Sequence, residues 1–285
     1  MVKANTNNDL RIWLSLGLGT LLDRIRIRIG TQRYSHHLEE IETVCLFLGY
    51  PRSGHSVIGS CIDAHPNAVI AHRLDAVKFL AKGRPNHELF YLLLRNAQHF
   101  SSTGRVLTGY AYPIPNQSQG RVSTLKVVGD QEGNWTSRRL GADLELTRKL
   151  LNSCSPRYRL VHVIRNPYDN ITTWALRSRC GLNRRTADYF ALCEAVSRVL
   201  NVAPENSIFS VYYEQFVASP KEVLQRLLKF LGLPVEDSFL SDCAAIIPET
   251  PHKSRFAKRW SNKQINEVLR QSSDFEFLSG YRYQD

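Results

Sequence analysis

Short apolar segments alternate with helical patterns along most of the chain, and this alternation constrains the fold more than any other feature. Five segments rich in β-branched and aromatic residues have the length of strands: 44–49, 68–71, 125–129, 159–164 and 207–212. Helical patterns occur at about 55–64, 74–82, 87–99, 137–152, 169–180, 186–200 and 220–231. Strands that alternate with helices predict an α/β fold in which a parallel sheet is covered on both faces.

The domain organisation is simple, because no repeat, low-complexity segment or linker interrupts this pattern. We expect one domain over residues 41–285, preceded by an N-terminal amphipathic extension, 1–40. The extension contains the apolar run IWLSLGLGTLL at 12–22, whose eleven residues are too few for a bilayer, which takes about 20. No transmembrane span is therefore predicted. We expect a helix packed on the domain; the alternative is a peripheral membrane contact through residues 12–28.

The charge is distinctive. Lys and Arg number 37 against 26 Asp and Glu, so the formal net charge is +11, and this excess indicates an anionic partner. Ten of the eleven net charges come from two segments: 157–185, with seven arginines and one acid, and 252–260, with four basic residues and no acid. Two focused patches fit a compact anionic ligand better than a long duplex. Binding to nucleic acid is therefore not predicted.

The cysteines bear on the compartment and on metal binding. Six are present, without a CxxC pair or regular spacing, which excludes a small disulfide scaffold and a zinc signature. Cys45, Cys61 and Cys193 fall in apolar runs and are expected to be buried thiols. This pattern favours a reducing compartment. We expect a cytoplasmic protein, with membrane association through the extension as the alternative, and no metal site.

A glycine-containing loop follows the first strand and is the strongest candidate for a functional site. Residues 49–56 read GYPRSGHS and lead into a helical pattern, in the GxxxxGxS spacing of a phosphate-binding loop. Such a loop directs backbone N–H groups at a phosphate, at the positive end of a helix dipole. His55 stands where nucleotide hydrolases carry a phosphate-binding lysine. The polar residues Arg52 and Ser53 favour a ligand site, because a tight turn requires only Gly and Pro.

Four motifs, in order along the chain, resemble the sulfotransferases that use 3′-phosphoadenosine 5′-phosphosulfate (PAPS). The sequence PRSGHS at 51–56, continued by CIDAHPN at 61–67, is similar to the 5′-phosphosulfate loop of protein-tyrosine and bacterial-type members. The strand RLVHVI ends in Arg165, and Thr173 lies eight residues further on. The segment 211–234 resembles the family's strand, Glu and helix, and 253–260 resembles its C-terminal basic loop.

This resemblance implies a three-layer P-loop-like fold, with a central parallel sheet of about five strands flanked by helices. It implies PAPS as the donor, no metal, and a sulfuryl transfer to the hydroxyl of a sugar, phenol, lipid or peptide tyrosine. The residues implied in cofactor binding are Arg52, Ser53, Gly54, His55 and Ser56 at the phosphosulfate, Arg165 and Thr173 at the 3′-phosphate, and Lys253, Ser254, Arg255 and Lys258 in the basic loop. Both anion sites follow strands, and open α/β sheets bind ligands at that edge.

Three residues are candidates for catalysis. Arg52 is expected to neutralise charge on the leaving oxygen by electrostatics and hydrogen bonding, since an arginine is not readily deprotonated. The acceptor hydroxyl also needs a base. Protein-tyrosine sulfotransferases have a glutamate shortly after the second strand, where this chain has His72 and Arg73. His72 is the first candidate because histidine titrates near neutral pH. Asp130 and Glu132 come next, although Asp130 has the alternative of capping a turn.

The acceptor pocket is expected between the second and third strands, where Tyr91, Tyr110, Tyr112 and the loop 113–120 lie. Aromatic side chains near a polar loop suit small-molecule, carbohydrate and peptide acceptors alike. Two rival functions stay open. In a P-loop kinase or NTPase, Asp130 would bind Mg²⁺ at the end of the third strand. In a basic nucleic-acid-binding module, the charge would give broad, salt-sensitive affinity.

Overall fold

A parallel sheet of five strands forms the centre of the molecule. A computed structural model of the chain describes residues 21–105, 112–122 and 124–285. The strands are β1 (Thr43–Gly49), β2 (Ala68–Ala71), β3 (Val127–Asp130), β4 (Arg157–Ile164) and β5 (Ile208–Tyr212), in the order β2-β3-β1-β4-β5. All neighbouring pairs are parallel, so the carboxyl ends lie at one edge. The five predicted strands and the α/β fold class are confirmed.

Helices cover both faces of this sheet. They are α1 (Leu21–Arg33), α2 (Ser35–Glu39), α3 (His55–Asp63), α4 (Ala76–Ala81), α5 (Asn86–Ser102), α6 (Gly133–Ala142), α7 (Leu144–Leu151), α8 (Pro167–Ser178), α9 (Leu182–Leu200), α10 (Tyr213–Ala218), α11 (Pro220–Leu231), α12 (Asp237–Ala244) and α13 (Asn262–Ser272). Each predicted helical pattern contains a helix. The pattern at 137–152 contains two, because the Asp143 side chain accepts the N–H of Leu146 at 2.9 Å and starts a new helix there.

β1 shows how the three layers are held together. Its side chains alternate between the two faces, as strand geometry requires. Val44, Leu46 and Leu48 pack into a core that includes α5, whereas Cys45 and Phe47 pack into a core that includes α3 and α11. All seven residues of β1 are buried, which is typical of a parallel strand covered on both faces.

The N-terminal helices pack on the first of these cores. Ile27 of α1 and Leu38 of α2 are buried in it. A Cβ atom at Gly30 would lie 2.0 Å from the ring of Tyr91, so a larger residue at this position would displace the Tyr91 ring that packs between α1 and α5. Apart from its last two positions, the apolar run 12–22 lies outside the described residues, and the membrane-contact hypothesis with it. In the part of the chain that is described, no helix is long and apolar enough to cross a membrane.

The first basic segment is divided between the two edges of the sheet. Arg157 and Arg159 begin β4, at the edge opposite to the carboxyl ends. Arg157 lies 3.8 Å from a carboxylate oxygen of Glu42, and Arg159 lies over the ring of Phe230 at 5.4 Å. The segment 157–185 is therefore not one patch, and only its later arginines reach the carboxyl edge. Cys45, Cys61 and Cys193 are buried free thiols, as expected.

Candidate functional site

A cleft of about 720 Å³ opens at the carboxyl edge of the sheet. The segments that follow all five strands contribute to its walls, as expected for an open parallel sheet. The lining residues are Pro51, Arg52, Gly54, His55, Ser56, Val57, His72, Arg73, Tyr112, Gln131, Glu132, Gly133, Asn134, Arg165, Thr173, Trp174, Leu176, Arg177, Ser178, Tyr213, His252, Ser254 and Ala257.

The loop after β1 forms one end of the cleft. Both the N–H and the hydroxyl of Ser53 donate to the carbonyl of Tyr50, at 3.2 and 2.9 Å, and close the turn. Gly54 has a φ of 114°, and a Cβ atom there would lie 2.5 Å from the ring of Tyr213, so this position requires glycine. The first N–H groups of α3, from His55 to Val57, have no acceptor within the helix. They form a cradle suited to an anion.

The ring of His55 is turned towards the sheet. Its Nε2 lies 3.0 Å from the carbonyl oxygen of Leu48 and must donate, because a carbonyl only accepts. A Cβ atom at Gly133 would lie 2.2 Å from Cε1 of His55, so glycine makes room for the ring. Burial lowers the pKa of His55 to about 4, which keeps the ring neutral near pH 7. The donor that His55 offers to the cleft is therefore its backbone N–H.

Arg165 follows β4 directly and is 7% exposed. Its terminal nitrogens donate to the carbonyl of Arg52 at 3.1 Å and to the carbonyl of His252 at 2.5 Å. These bonds join the loop after β1 to the segment that precedes Ser254. The buried Nε of Arg165 has no hydrogen-bond partner among the described residues. A buried guanidinium with a remaining donor is a good partner for a phosphate.

Thr173 lies on α8, across the cleft from the loop. Its Oγ1 is 2.7 Å from Oγ of Ser254, which in turn donates to the carbonyl of Asp169 at 2.9 Å. Because the Ser254 hydrogen is used on that carbonyl, Thr173 is the donor to Ser254. The two hydroxyls and Arg165 all line the cleft. They form a second polar group, separate from the α3 cradle, in which Thr173 donates to an anion once its hydroxyl turns away from Ser254.

The other members of the basic segment are placed differently. Arg255 is 3% exposed, and its Nη2 and backbone N–H bind the carboxylate of Asp169 at 3.1 and 2.7 Å. The Nζ of Lys253 donates to the carbonyl of Asp285. Neither Arg255, Lys253 nor Lys258 lines the cleft. Of the four basic-loop residues named from the sequence, the structure brings only Ser254 into the cleft.

Asp130, a candidate base, is fully buried below the cleft. Its carboxylate accepts the N–H groups of Leu74, Ala76 and Glu132 at 3.1, 2.9 and 3.3 Å. Burial raises its pKa to about 7. Asp130 thus caps the turns that follow β2 and β3, the alternative role considered for it, and does not line the cleft.

His72 does line the cleft and stacks on Phe100, with ring centroids 4.2 Å apart. Its Nδ1 contacts the side-chain amide of Gln131, whereas its buried Nε2 has no partner among the described residues. Burial, reinforced by the charges of Arg73 and Arg105, lowers the pKa of His72 to about 3. The ring is neutral near pH 7 and is a weak base.

Glu132 is the carboxylate of the cleft wall. Its Oε2 accepts Nε of Arg73 at 3.0 Å, and its Oε1 accepts the N–H of Trp135 at 3.2 Å, at the start of α6. Arg73 has a left-handed backbone, with φ of 55°, which directs the chain after β2 along this wall. Sequence reasoning ranked Glu132 after His72 and missed its pairing with Arg73.

The tyrosines expected at the acceptor pocket lie in different places. Tyr112 lines the cleft, whereas Tyr91 packs against α1 and Tyr110 lies outside the described residues. The sequence did not predict three lining residues, Trp174, Tyr213 and His252, and it indicated Arg177 only as surplus charge of the basic segment 157–185, for an acidic acceptor or a membrane. The spacing of Thr173 and Arg177, four residues apart on one helix, was the available signal for Arg177. No group of three His, Cys, Asp or Glu side chains suited to a metal ion occurs in the described ranges.

Comparison with known proteins agrees with this geometry. Residues 142–237 match a family model described as the sulfotransferase family. This stretch contains Arg165 and Thr173 but not the loop after β1. No curated protein matches the chain.

Two solved structures have a similar fold. The sulfotransferase domain from the curacin biosynthetic pathway is 14% identical, covers 83% of this chain and 99% of its own, and has a TM-score of 0.53. The sulfotransferase domain from the Synechococcus PCC 7002 olefin synthase is 14% identical, with 83% and 95% covered and a TM-score of 0.50. The predicted resemblance to the sulfotransferase family and the P-loop-like fold are confirmed.

Proposed function

We propose that this chain, which has the sulfotransferase fold and matches that family's model over residues 142–237, transfers a sulfuryl group from PAPS to an acceptor hydroxyl. One observation carries the proposal: a single cleft is lined by two separate groups of anion-binding donors. One is the N-terminus of α3, and the other consists of Arg165, Thr173 and Ser254. A nucleotide with a phosphosulfate at one end and a phosphomonoester at the other requires both groups.

The residues fit this cofactor by their chemistry. The N–H groups from His55 to Val57 would hold the 5′ end, because the helix dipole favours negative charge there. The unpartnered Nε of Arg165 and the hydroxyl of Thr173, turned from Ser254 to the ligand, would hold the 3′-phosphate. Lys253 and Lys258 would add positive potential nearby. Arg255 supports the site indirectly, since its ion pair with Asp169 holds Ser254 beside Thr173.

PAPS, when bound, would supply the sulfuryl group, and the chain would supply positive charge and a base. Arg52, in the loop beside the α3 cradle, would stabilise negative charge that develops on the leaving oxygen. Glu132 would accept the proton of the acceptor hydroxyl at a carboxylate oxygen. Its two bonds, from Arg73 and from the Trp135 N–H, hold the carboxylate in one orientation. His72 is the second candidate for the base.

The rival enzyme function has less support. A P-loop kinase or NTPase needs a phosphate-binding lysine and a carboxylate that binds Mg²⁺. His55 stands in the lysine position, but its ring donates a hydrogen bond to the carbonyl of Leu48 and does not point into the cleft as a phosphate ligand. The carboxylate of Asp130 already accepts hydrogen bonds from three backbone N–H groups.

Two further expectations from the sequence are not tested by the structure. The cytoplasmic location and the domain boundary at residue 41 stay predictions.

A thermal-shift titration with adenosine 3′,5′-bisphosphate, the desulfated cofactor, tests the proposal. We expect the Tm to rise with ligand concentration, because a ligand that binds only the folded chain stabilises it by mass action. Turnover with PAPS should then survive a chelator, whereas a kinase would require ATP and Mg²⁺. Absence of any Tm shift at millimolar bisphosphate would refute the proposal.

A further inference from the structure

A cluster of arginines lies at the mouth of the cleft, where α8 ends and α9 begins. Arg177 lines the cleft, and Arg179 and Arg184 are exposed just beyond it. We call these three residues the arginine rim. None of them belongs to the two donor groups assigned above to the cofactor.

The turn between the two helices is held against the cleft wall. Nε of Arg185 donates to Oγ of Ser178 at 2.9 Å, and the Arg185 guanidinium lies 4.8 Å from the ring centre of Trp174. Trp174 and Ser178 both line the cleft. The first turn of α9, which carries Arg184, is therefore adjacent to the mouth and not a separate surface.

Two members of the rim, Arg179 and Arg184, have no ion-pair partner among the described residues. Between residues 170 and 190 the acidic side chain present is Asp188, and it pairs with Arg185 at 2.5 Å. Exposed positive charges of one sign raise the local potential, which favours an anionic partner.

The backbone at Arg179 adds a second observation. Arg179 is the C-cap of α8 and has a left-handed conformation, with φ of 53° and ψ of 36°. Glycine or asparagine is favoured at such a position, since a Cβ atom is disfavoured there. The chain instead has a long cationic side chain, and Leu176, 44% exposed, adds an apolar surface beside it. Residues held in a sparsely populated conformation are often functional.

We propose that the arginine rim binds an acceptor that is itself anionic, a hydroxyl compound that carries carboxylate, sulfate or phosphate groups near its reacting hydroxyl. This inference rests on the proposed sulfuryl transfer and names its substrate class. The rim would bind the negative groups through charge-assisted hydrogen bonds, while Leu176 contacts the carbon skeleton. Neutral sugars and phenols would lack these contacts and would bind more weakly.

A binding experiment tests the rim without requiring the natural acceptor. The chain is first saturated with adenosine 3′,5′-bisphosphate, whose binding is confirmed by its Tm shift, and sucrose octasulfate is then titrated by calorimetry with sucrose as the neutral control. We expect sucrose octasulfate to bind and the R179Q/R184Q variant to weaken it about tenfold or more, as expected for charged hydrogen bonds. The R148Q/R226Q variant has the same net charge and alters exposed arginines outside the cleft lining, so it should bind nearly as the parent does.

The outcomes separate this inference from the proposed function. If adenosine 3′,5′-bisphosphate does not raise the Tm of the parent protein, the proposed function itself is contradicted. A normal Tm shift, together with equal weakening in the two variants or no binding at all, would overturn the rim alone. If the rim variant instead loses binding only to phosphatidylglycerol vesicles, the partner is a membrane surface and the anionic-acceptor proposal is wrong.

A kinetic comparison provides a second readout. With 4-nitrophenyl β-glucuronide and 4-nitrophenyl β-glucoside, which carry a carboxylate and a hydroxymethyl group respectively at C6 and share their ring hydroxyls, we expect the glucuronide to have the higher kcat/KM for transfer to a ring hydroxyl. R179Q/R184Q should remove this preference through KM, with kcat nearly unchanged, because the rim does not contact the reacting atoms. A preference for the glucoside would count against the rim.

Discussion

Arg73 and Glu132 connect the ends of two neighbouring strands by a 3.0 Å hydrogen bond between Nε and Oε2, although they are 59 residues apart in sequence. The Glu132 side chain is 5% exposed and the Arg73 side chain is 54% exposed. The arginine thus covers a carboxylate that lines the cleft. This pair supports Glu132 as the base, because the orientation of its carboxylate is fixed before an acceptor binds.

Glu132→Gln removes the basic oxygen and keeps the size of the side chain. We expect kcat to fall by about 10²–10⁴-fold, the usual contribution of a general base, while the Tm shift with adenosine 3′,5′-bisphosphate is retained. The fall in kcat is measured in steady-state assays with PAPS and an acceptor that the parent protein sulfates. His72→Gln is the matched variant and should lose much less activity. If His72→Gln is inactive and Glu132→Gln is active, the assignment must be reversed.

Arg52→Ala tests the electrostatic role of the loop. The guanidinium is lost, but the Arg52 carbonyl that Arg165 binds is part of the backbone and remains. We therefore expect kcat to fall by about 10²–10³-fold, as for removal of one charge-stabilising donor, with the Kd of the bisphosphate changed only a few-fold. Arg52→Lys should restore part of the rate. Near-normal turnover in Arg52→Ala would refute the role.

Gly133→Ala tests the space that His55 occupies. The new Cβ atom would lie 2.2 Å from Cε1 of His55, so the ring and the loop must move. We expect a loss of about 1–3 kcal/mol in the free energy of unfolding, as for overpacking, and weaker bisphosphate binding. Gly181→Ala is the control, because nothing lies within 4 Å of a Cβ there. Urea denaturation of both variants makes the comparison, and equal losses would contradict the packing described.

His162→Gln tests the pH dependence of stability. His162 is fully buried on β4, and burial lowers its pKa to about 3. The unfolded chain binds a proton at this histidine below its ordinary pKa and the folded chain does not, so stability is lost as the pH falls from about 6.5 towards 3. The loss is at most about 1.4 kcal/mol per pH unit.

The His162→Gln variant has no such loss. The difference in the free energy of unfolding between the parent and the variant should therefore become smaller as the pH falls from 7 to 5. His55 and His72, whose pKa values are also lowered, contribute in the same direction. Asp63 and Asp130, whose pKa values are raised, oppose them. These groups are common to both proteins and cancel in the difference. Urea titrations at the two pH values measure this difference, and a difference independent of pH would contradict the account.

The sheet and the loop could be predicted because their signals are local. A strand buried on both faces is a continuous apolar run, as in β1. The GxxxxGxS spacing fits one turn between a strand and a helix. The position of Arg165 at a strand end follows from the strand itself. For these elements, the residues that determine the structure are adjacent in sequence.

The contacts of individual charges could not be predicted in the same way. Arg255 was expected at the cofactor because it lies in a basic segment, but it pairs with Asp169, 86 residues away. A buried guanidinium is costly unless its charge is paired or its N–H groups are bonded, and only the fold shows which partners are near. Asp130 and Glu132 are two residues apart and have different roles, because only Asp130 meets the N–H groups that follow β2.

The central claim is that one cleft holds both ends of a bisphosphate nucleotide. Calorimetry with adenosine 3′,5′-bisphosphate and adenosine 5′-monophosphate, on the parent and on Thr173→Val, tests it most directly. We expect the parent to bind the bisphosphate about 10–100-fold more tightly, since hydrogen bonds to a charged group contribute about 1.5–3 kcal/mol. Thr173→Val should reduce that preference and leave monophosphate binding unchanged. Equal Kd values for the two nucleotides in the parent would contradict the claim.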